Sequence, residues 1–368
     1  MDYLQQLLKD QKVEWKKLGE VCNVQRGRRL TKKDMIEDGE YLVYQNSMIP
    51  LGRYNKYNVK GGTTYVICAG SAGEIGYSSE DFWAADDVSY FECPEFVHSK
   101  FVYYYLLTQQ QRILQQVRRA GVPRLAPDVL RQLPIPLPPL SVQSRIVEIL
   151  DKFTALEAEL EAELDLRKKQ YQHYREQLLN FSSTPPREFN VIWRKLGEVC
   201  GVLRGRRLTK KELSQEKQGF AVYHGGIEPI GYYPTANRKA NSTMVINVGA
   251  SAGTVGFSRE KFWSSDGCFC FTESPILLQR FLFYYLQSIE HKVKSKVRVA
   301  GIPTLDANIL YNLEIPLPPL SVQSRIVEIL DKFDTLTNSI TEGLPLEIKL
   351  RKQQYEYYRE QLLNFPHH

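Results

Sequence analysis

The sequence predicts an α/β (α+β) chain built as two similar globular modules, each followed by a long helix, on a pseudo-twofold and nearly cyclic plan. Three observations predict it. Residues 15–34 (WKKLGEVCNVQRGRRLTKKD) return at 193–212 (WRKLGEVCGVLRGRRLTKKE), and residues 135–153 (IPLPPLSVQSRIVEILDKF) return letter for letter at 315–333. The stretches between them align in order but differ in polar detail. Identical struts around diverged modules imply a device that meets two versions of one kind of target.

The elements follow in chain order. Residues 1–12 carry YLQQLL (3–8), which resembles YREQLL (174–179), and both precede a Trp-Lys/Arg-Lys-Leu-Gly-Glu block. The N-terminal piece therefore reads as the tail of a helix whose body lies near the other end, which predicts adjacent termini. The first module, 13–140, holds the strand-like runs TTYVICA (63–69) and VSYFEC (88–93), rich in β-branched and aromatic residues and punctuated by Gly pairs. KFVYYYLLTQQQRILQQV (100–117) has helical spacing. The second module, 190–320, repeats the order with TMVINV (243–248) and QRFLFYYLQSIEHKVKSKV (279–297). Each module leaves through IPLPPL, at 135–140 and 315–320. Three prolines in five residues exclude a helix interior or a central strand and give a stiff extended exit. Ser141 then reads as an N-cap.

A spacer helix is predicted over 141–182. Ile146, Ile149, Phe153, Leu156, Leu160, Leu164, Tyr171, Tyr174, Leu178 and Phe181 fall at steps of three and four along one stripe, with a stutter after Leu160. Such a helix is roughly 60 Å long and marginal without a partner for its stripe. The second copy, 321–366, supplies one through Ile326, Ile329, Phe333, Leu336 and Ile340, then Tyr355, Tyr358, Leu362 and Phe365. Gly343 and Pro345 predict a break near 343–345. Helix-pair packing is assigned to Ile146, Phe153 and Leu160 with Ile326, Phe333 and Ile340.

A 368-residue chain, 43% hydrophobic and 24% charged, is folded globular matter with room for two cores. Its net charge of +6 is modest but concentrated. Each basic block has seven Lys or Arg against two Glu or Asp, +5 apiece, which leaves the remainder at −4. A focus of this kind, repeated at the same place, points to a polyanion. Cys22, Cys68, Cys93, Cys200, Cys268 and Cys270 show no CxxC spacing and no histidines at zinc-site offsets, and read as reduced, mostly buried thiols. No signal peptide is read in MDYLQQLLKD, and no run approaches a membrane span. His367 and His368 are set aside as a tag-like stub.

The segments AGVPRLAPDVLRQL and AGIPTLDANILYNL before IPLPPLSVQSRI, together with SAGEIGYSSEDFW (71–83) and SAGTVGFSREKFW (251–263), resemble the junctions of type I restriction–modification specificity subunits. The resemblance covers almost the whole chain, twice. It implies two target-recognition domains, each reading one half of a split DNA sequence. It also implies two antiparallel helices that set the spacer and bind two modification (methyltransferase) subunits, with restriction subunits joining through the assembly. A subunit with no catalytic centre of its own follows from the same resemblance; the reduced thiols place the chain in the cytoplasm, and no cofactor or metal is expected.

The residues are consistent with that. No Asn/Asp-Pro-Pro-aromatic segment or GxxxxGK[ST] loop is present, and the triplets Gly70/Gly73/Gly76 and Gly249/Gly253/Gly256 read as strand-connecting turns. Asp86 and Asp266, beside Trp83 and Trp263, read as structural hydrogen-bonding groups. Phosphate contacts belong to what the copies share, because the DNA backbone is the same at both half-sites. They are Arg26, Arg28, Arg29, Lys32, Lys33 and Arg118, with Arg204, Arg206, Arg207, Lys210, Lys211 and Arg298. Base readout belongs to what differs: Gln45, Asn46 and Arg53, against His224 and Arg238, and Arg124, replaced by Thr304. The competing readings are a stand-alone two-module DNA binder, a nuclease, and a coiled-coil scaffold.

Overall fold

The structure, a computed structural model, describes residues 3–8, 12–181, 190–209, 211–214 and 218–366. The chain divides into two compact units, 1–161 with 347–368, and 162–346. The uninterrupted helix Leu140–Leu179 supplies residues to both. Each unit therefore comprises a module and its share of helix, whereas the sequence reading set the helices apart as spacer segments.

In the first unit a four-stranded antiparallel sheet has the order Asn23–Arg26, Val88–Glu92, Thr63–Ile67, Ile75–Ser78. A three-stranded sheet joins Gly52–Tyr54, Tyr41–Tyr44 and Phe82–Ala84, the last pairing parallel. Strand Thr63–Ile67 is buried on both faces. Val66 packs with Phe91, Val102, Leu106 and Ile113, while Tyr65 and Ile67 pack with Val59, Phe82 and Val88. That explains its continuous apolar run in place of a strict alternation. The second unit repeats the topology with Val202–Arg204, Cys268–Phe271, Ser242–Ile246 and Val255–Ser258, and with Gly231–Tyr233, Phe220–Tyr223 and Trp263–Ser264.

Three local expectations change. The proline-rich exit is extended but not free. Pro134–Leu137 pairs with Glu14–Lys17, and Glu314–Leu317 with Ile192–Lys195. In a two-stranded ribbon each strand is an edge, where proline is tolerated. Second, the helix begins at Leu140, and the Pro139 carbonyl accepts from Val142 N and Gln143 N at 2.9 and 3.1 Å. Ser141 thus lies inside the first turn and is no N-cap. Third, the predicted 100–117 helix is two, Ser99–Thr108 and Gln110–Gln115. Thr108 Oγ1 donates to Tyr105 O at 2.7 Å, and Ser288 Oγ donates to Tyr285 O at the same distance where the second copy breaks. Such back-bonding bends helices.

Most stripe residues are buried or half-buried within their own unit, with Tyr174 exposed. Phe153 stacks on Tyr358 at 5.2 Å, and Lys352 reaches Glu157 and Glu161. Ile146 shares a core with Leu4, Leu8, Leu362, Leu363 and Phe365. The N-terminal helix Tyr3–Leu8 and the far end of the chain are therefore neighbours, and Trp15 Nε1 donates to Pro366 O at 3.0 Å. In the second unit Phe333 stacks on Tyr171 and Tyr174, and Ile326 and Leu330 join the core. Leu160 is buried. Ile340 is a correction: it is 78% exposed. The second helix stops at Asn338 and resumes at Gly343, so Ile340 falls in the break and off the stripe.

Helix and module are joined by a buried amide that recurs. Gln143 Nε2 donates to Pro138 O and Phe96 O at 2.8 and 3.2 Å, and its Oε1 accepts from His98 N at 2.8 Å. Gln323 does the same with Pro318 O, Ile276 O and Leu278 N, each at 2.9 Å. A partly exposed carboxylate adds to it. Asp151 accepts from Tyr104 OH at 2.5 Å and pairs with Lys100, while Asp331 accepts from Tyr284 OH at 2.6 Å and pairs with Arg280.

Candidate nucleic-acid interface

The RGRR loop is shaped by its neighbours. Gly27 N donates to Val88 O and Arg28 N to Ala84 O, both at 2.9 Å. A Cβ on Gly27 would collide with the Ala84 and Ala85 carbonyls, and one on Gly205 with those of Ser264 and Ser265. Only glycine lets the loop lie this close. Trp83 Nε1 donates to Arg28 O at 2.9 Å, and Trp263 Nε1 to Arg206 O at 2.8 Å. The recurring tryptophan is thus a strap across the basic loop.

Main-chain hydrogen bonds then gather other loops around it. Ala85 N donates to Tyr44 O, Ser71 N to Asn46 O and Gly70 N to Pro123 O, at 2.9, 2.9 and 3.1 Å. In the second unit Ser265 N donates to Tyr223 O and Gly249 N to Pro303 O, both at 2.9 Å. Basic loop, hairpin loop and the 118–124 turn so form one cluster in each unit. It holds Arg26, Arg28, Gln45, Asn46, Arg118 and Arg124 in the first, and Arg204, Arg206, His224 and Arg298 in the second.

Among the described residues, none of Arg26, Arg28, Arg29, Lys32, Lys33, Arg118, Arg124, Arg204, Arg206, Arg207, Lys211 or Arg298 lies within ion-pair distance of a carboxylate. All are exposed. Lys210 lies outside the described residues. Arg26 Nε donates to Asp86 O at 2.6 Å and Arg204 Nε to Asp266 O at 3.0 Å, which fixes these side chains and leaves their charge uncompensated. Lys32 and Lys33 sit on a single 3-10 turn held by Thr31 and Asp34. Hydrogen bonds from Thr31 hold the Asp34 carboxyl below its usual range, and Thr209 does the same for Glu212.

The base-reading candidates separate. The side-chain amides of Gln45 and Asn46 make no hydrogen bond to the described residues, and Arg124 is exposed at the base of its turn. His224 Nδ1 lies 3.4 Å from Asp266 Oδ1. Arg53 is not in the cluster: its Nη1 donates to Gly39 O and Glu40 O at 3.0 and 3.2 Å and holds the turn at the other end of the hairpin. Arg238 is likewise turned to the framework, donating to Asn237 O and Arg204 O at 2.8 and 3.2 Å. It occupies the place of Val59, buried in the first unit. Sequence comparison marked both as different between copies but could not tell a framework difference from a surface one. It also passed over Arg119, exposed on the 118–124 turn and replaced by Val299, although that difference is of the same kind as Arg124 against Thr304.

Among the described residues no group of three His, Cys, Asp or Glu is placed to hold a metal, and no helix is long and apolar enough to cross a membrane. The six cysteines are free, with Cys22 and Cys93 Sγ atoms 2.8 Å apart. The bond to Cys93, then burial, pushes the Cys22 thiol up, and burial pushes Cys200 up to about 11.

Residues 11–166 and 190–350 each match the family model of the type I restriction modification DNA specificity domain. The chain belongs to that family. The EcoR124I/EcoR124II specificity subunit of Escherichia coli is 31% identical, over 100% of this chain and 98% of the relative. The Haemophilus influenzae chain S.HindORF215P, which carries the same kind of name, is 33% identical over 99% and 98%. The crystal structure of a type I restriction–modification S subunit from M. genitalium has the same fold, with TM-score 0.70 at 20% identity and 98% of both chains covered. Two specificity domains in tandem are what the duplicated loop cluster represents.

Proposed function

We propose that this chain is the DNA-reading subunit of a type I restriction–modification enzyme, without catalytic groups of its own. Each unit reads one half of a bipartite target, and the long helices set the gap. The observation that supports this most is the matched pair of basic loops, strapped in place, whose arginines make no ion pair among the described residues. Clustered cations of one sign raise the local potential and draw in phosphates, the part of the duplex that is the same at both half-sites. Modification subunits, and restriction subunits through them, are the partners implied by the family.

The test is titration of the full chain onto a duplex at stepped salt. Affinity falls steeply as salt rises, by the counterion release that phosphate contacts impose. Salt-independent or absent binding sinks the proposal and leaves the scaffold reading. Cutting by the isolated chain with Mg²⁺ would replace it with a nuclease. Methylome mapping of the source cell then reports both half-sites and the gap.

A further inference from the structure

Singly exposed apolar side chains carry no message. A pair at one position of two units, on a turn built to hold them, does. The turn 118–124 (RRAGVPR) and its counterpart 298–304 (RVAGIPT) are closed by reciprocal backbone bonds. Arg118 N donates to Arg124 O at 2.9 Å and Arg124 N to Arg118 O at 3.0 Å, and Arg298 and Thr304 repeat both distances. Leu125 and Leu305, next in sequence, are buried in the two cores. At the apex Gly121 and Gly301 have φ of 83° and 82°, and a Cβ on either would meet nothing within 4 Å. Beside them Val122 is 61% exposed and Ile302 69%, with Val299 at 79% in the second turn. A turn already rigid loses little entropy on binding. Arg118, Arg119 and Arg124 at the base of the first turn and Arg298 at that of the second, none paired with a carboxylate among the described residues, favour a polyanion over a protein partner.

We propose that Val122 and Ile302 are wedges that enter the duplex between adjacent base pairs and unstack one step in each half-site. This rests on the DNA-reading function above. A β-branched side chain at the end of a stiff turn, with arginines behind it for the phosphates, has the build of an apolar wedge that exchanges stacking for a bent, better-gripped duplex. Pyrimidine–purine steps yield most easily, so the wedge selects a base step without hydrogen-bonding it. The turn is joined to the hairpin loop through Gly70 and Ser71. Wedge and Gln45–Asn46 amides therefore act on neighbouring base pairs.

The test uses the full chain without partner subunits, so that extrusion of a base for methylation adds no signal. Duplexes carry both half-sites from the methylome map, with 2-aminopurine placed singly along each. One position per half-site brightens on binding. Val122→Ser abolishes this in the first half-site only and Ile302→Ser in the second, each weakening binding about tenfold. Val122→Ile keeps the signal. Binding with no brightening, or brightening that survives both serines, overturns the wedge and leaves DNA reading intact. Affinity that depends on thymine methyls, with no unstacking, assigns the tips to groove contacts and also overturns it. No salt-dependent binding by the unmodified chain overturns both.

Discussion

Gln143 and Gln323 show how one side chain explains a motif. IPLPPLSVQ is repeated because the glutamine four residues after the last proline satisfies two carbonyls and one N–H where strand, loop and helix meet. Replacing Gln143 by Leu leaves those groups buried and unpaired, so we expect a loss of about 2–4 kcal/mol in chemical denaturation. An unchanged midpoint would show that water reaches the junction. The basic loop makes a different prediction. Arg28→Ala should weaken binding to every duplex alike and lower the salt slope by about 1. Gln45→Ala with Asn46→Ala should instead alter the methylated half-site and leave the slope alone. A change of sequence preference in the arginine variant would contradict this division of labour.

At the level of elements, the helix stripe was legible from steps of three and four, because packing on one face demands that period. The break was legible from Gly343 and Pro345. Where the chain leaves the helix was not, since the stripe alone carries Ile340 into it. Strand Thr63–Ile67 could be read, but not its burial on two faces, which depends on how a second sheet, formed by the short segments flanking it, folds back over it. The repeat ALEAELEAEL (155–164) gives this scale its prediction. Deleting Leu156–Glu159 removes about 6 Å of helix. Leu160 then takes the place of Leu156 and Glu161 that of Glu157, so Lys352 keeps a carboxylate partner. The spacer in the methylated target should shorten by one or two base pairs, with both half-sites preserved. Altered half-sites at the old spacing would rule this out.

For the whole molecule, tandem similarity made the plan readable, and YLQQLL predicted the joined ends that Trp15 and Pro366 display. The cluster of loops was not readable, because its members are separated by up to a hundred residues and share no pattern. Stability gives a test that spans both units. Burial pushes Tyr105, Tyr171 and Tyr285 up to about 12, against an ordinary value of about 10. Their raised folded values mean a contribution complete below pH 10 and lost as pH climbs from about 10 through 12. Phenolate absorbance should therefore rise together with loss of helical dichroism in that window. Ionisation of these tyrosines near 10 with the helices intact would show them open to solvent.

The bonds that assemble the loop cluster run between peptide groups: Ser71 to Asn46, Gly70 to Pro123, Ala85 to Tyr44. No side chain at Gln45, Asn46 or Val122 is needed to hold the shape. Such a face has a fixed grammar and an exchangeable vocabulary. On the proposed reading its letters can be rewritten, by drift or by an engineer, at almost no cost to folding, and a new recognition sequence then needs no new scaffold.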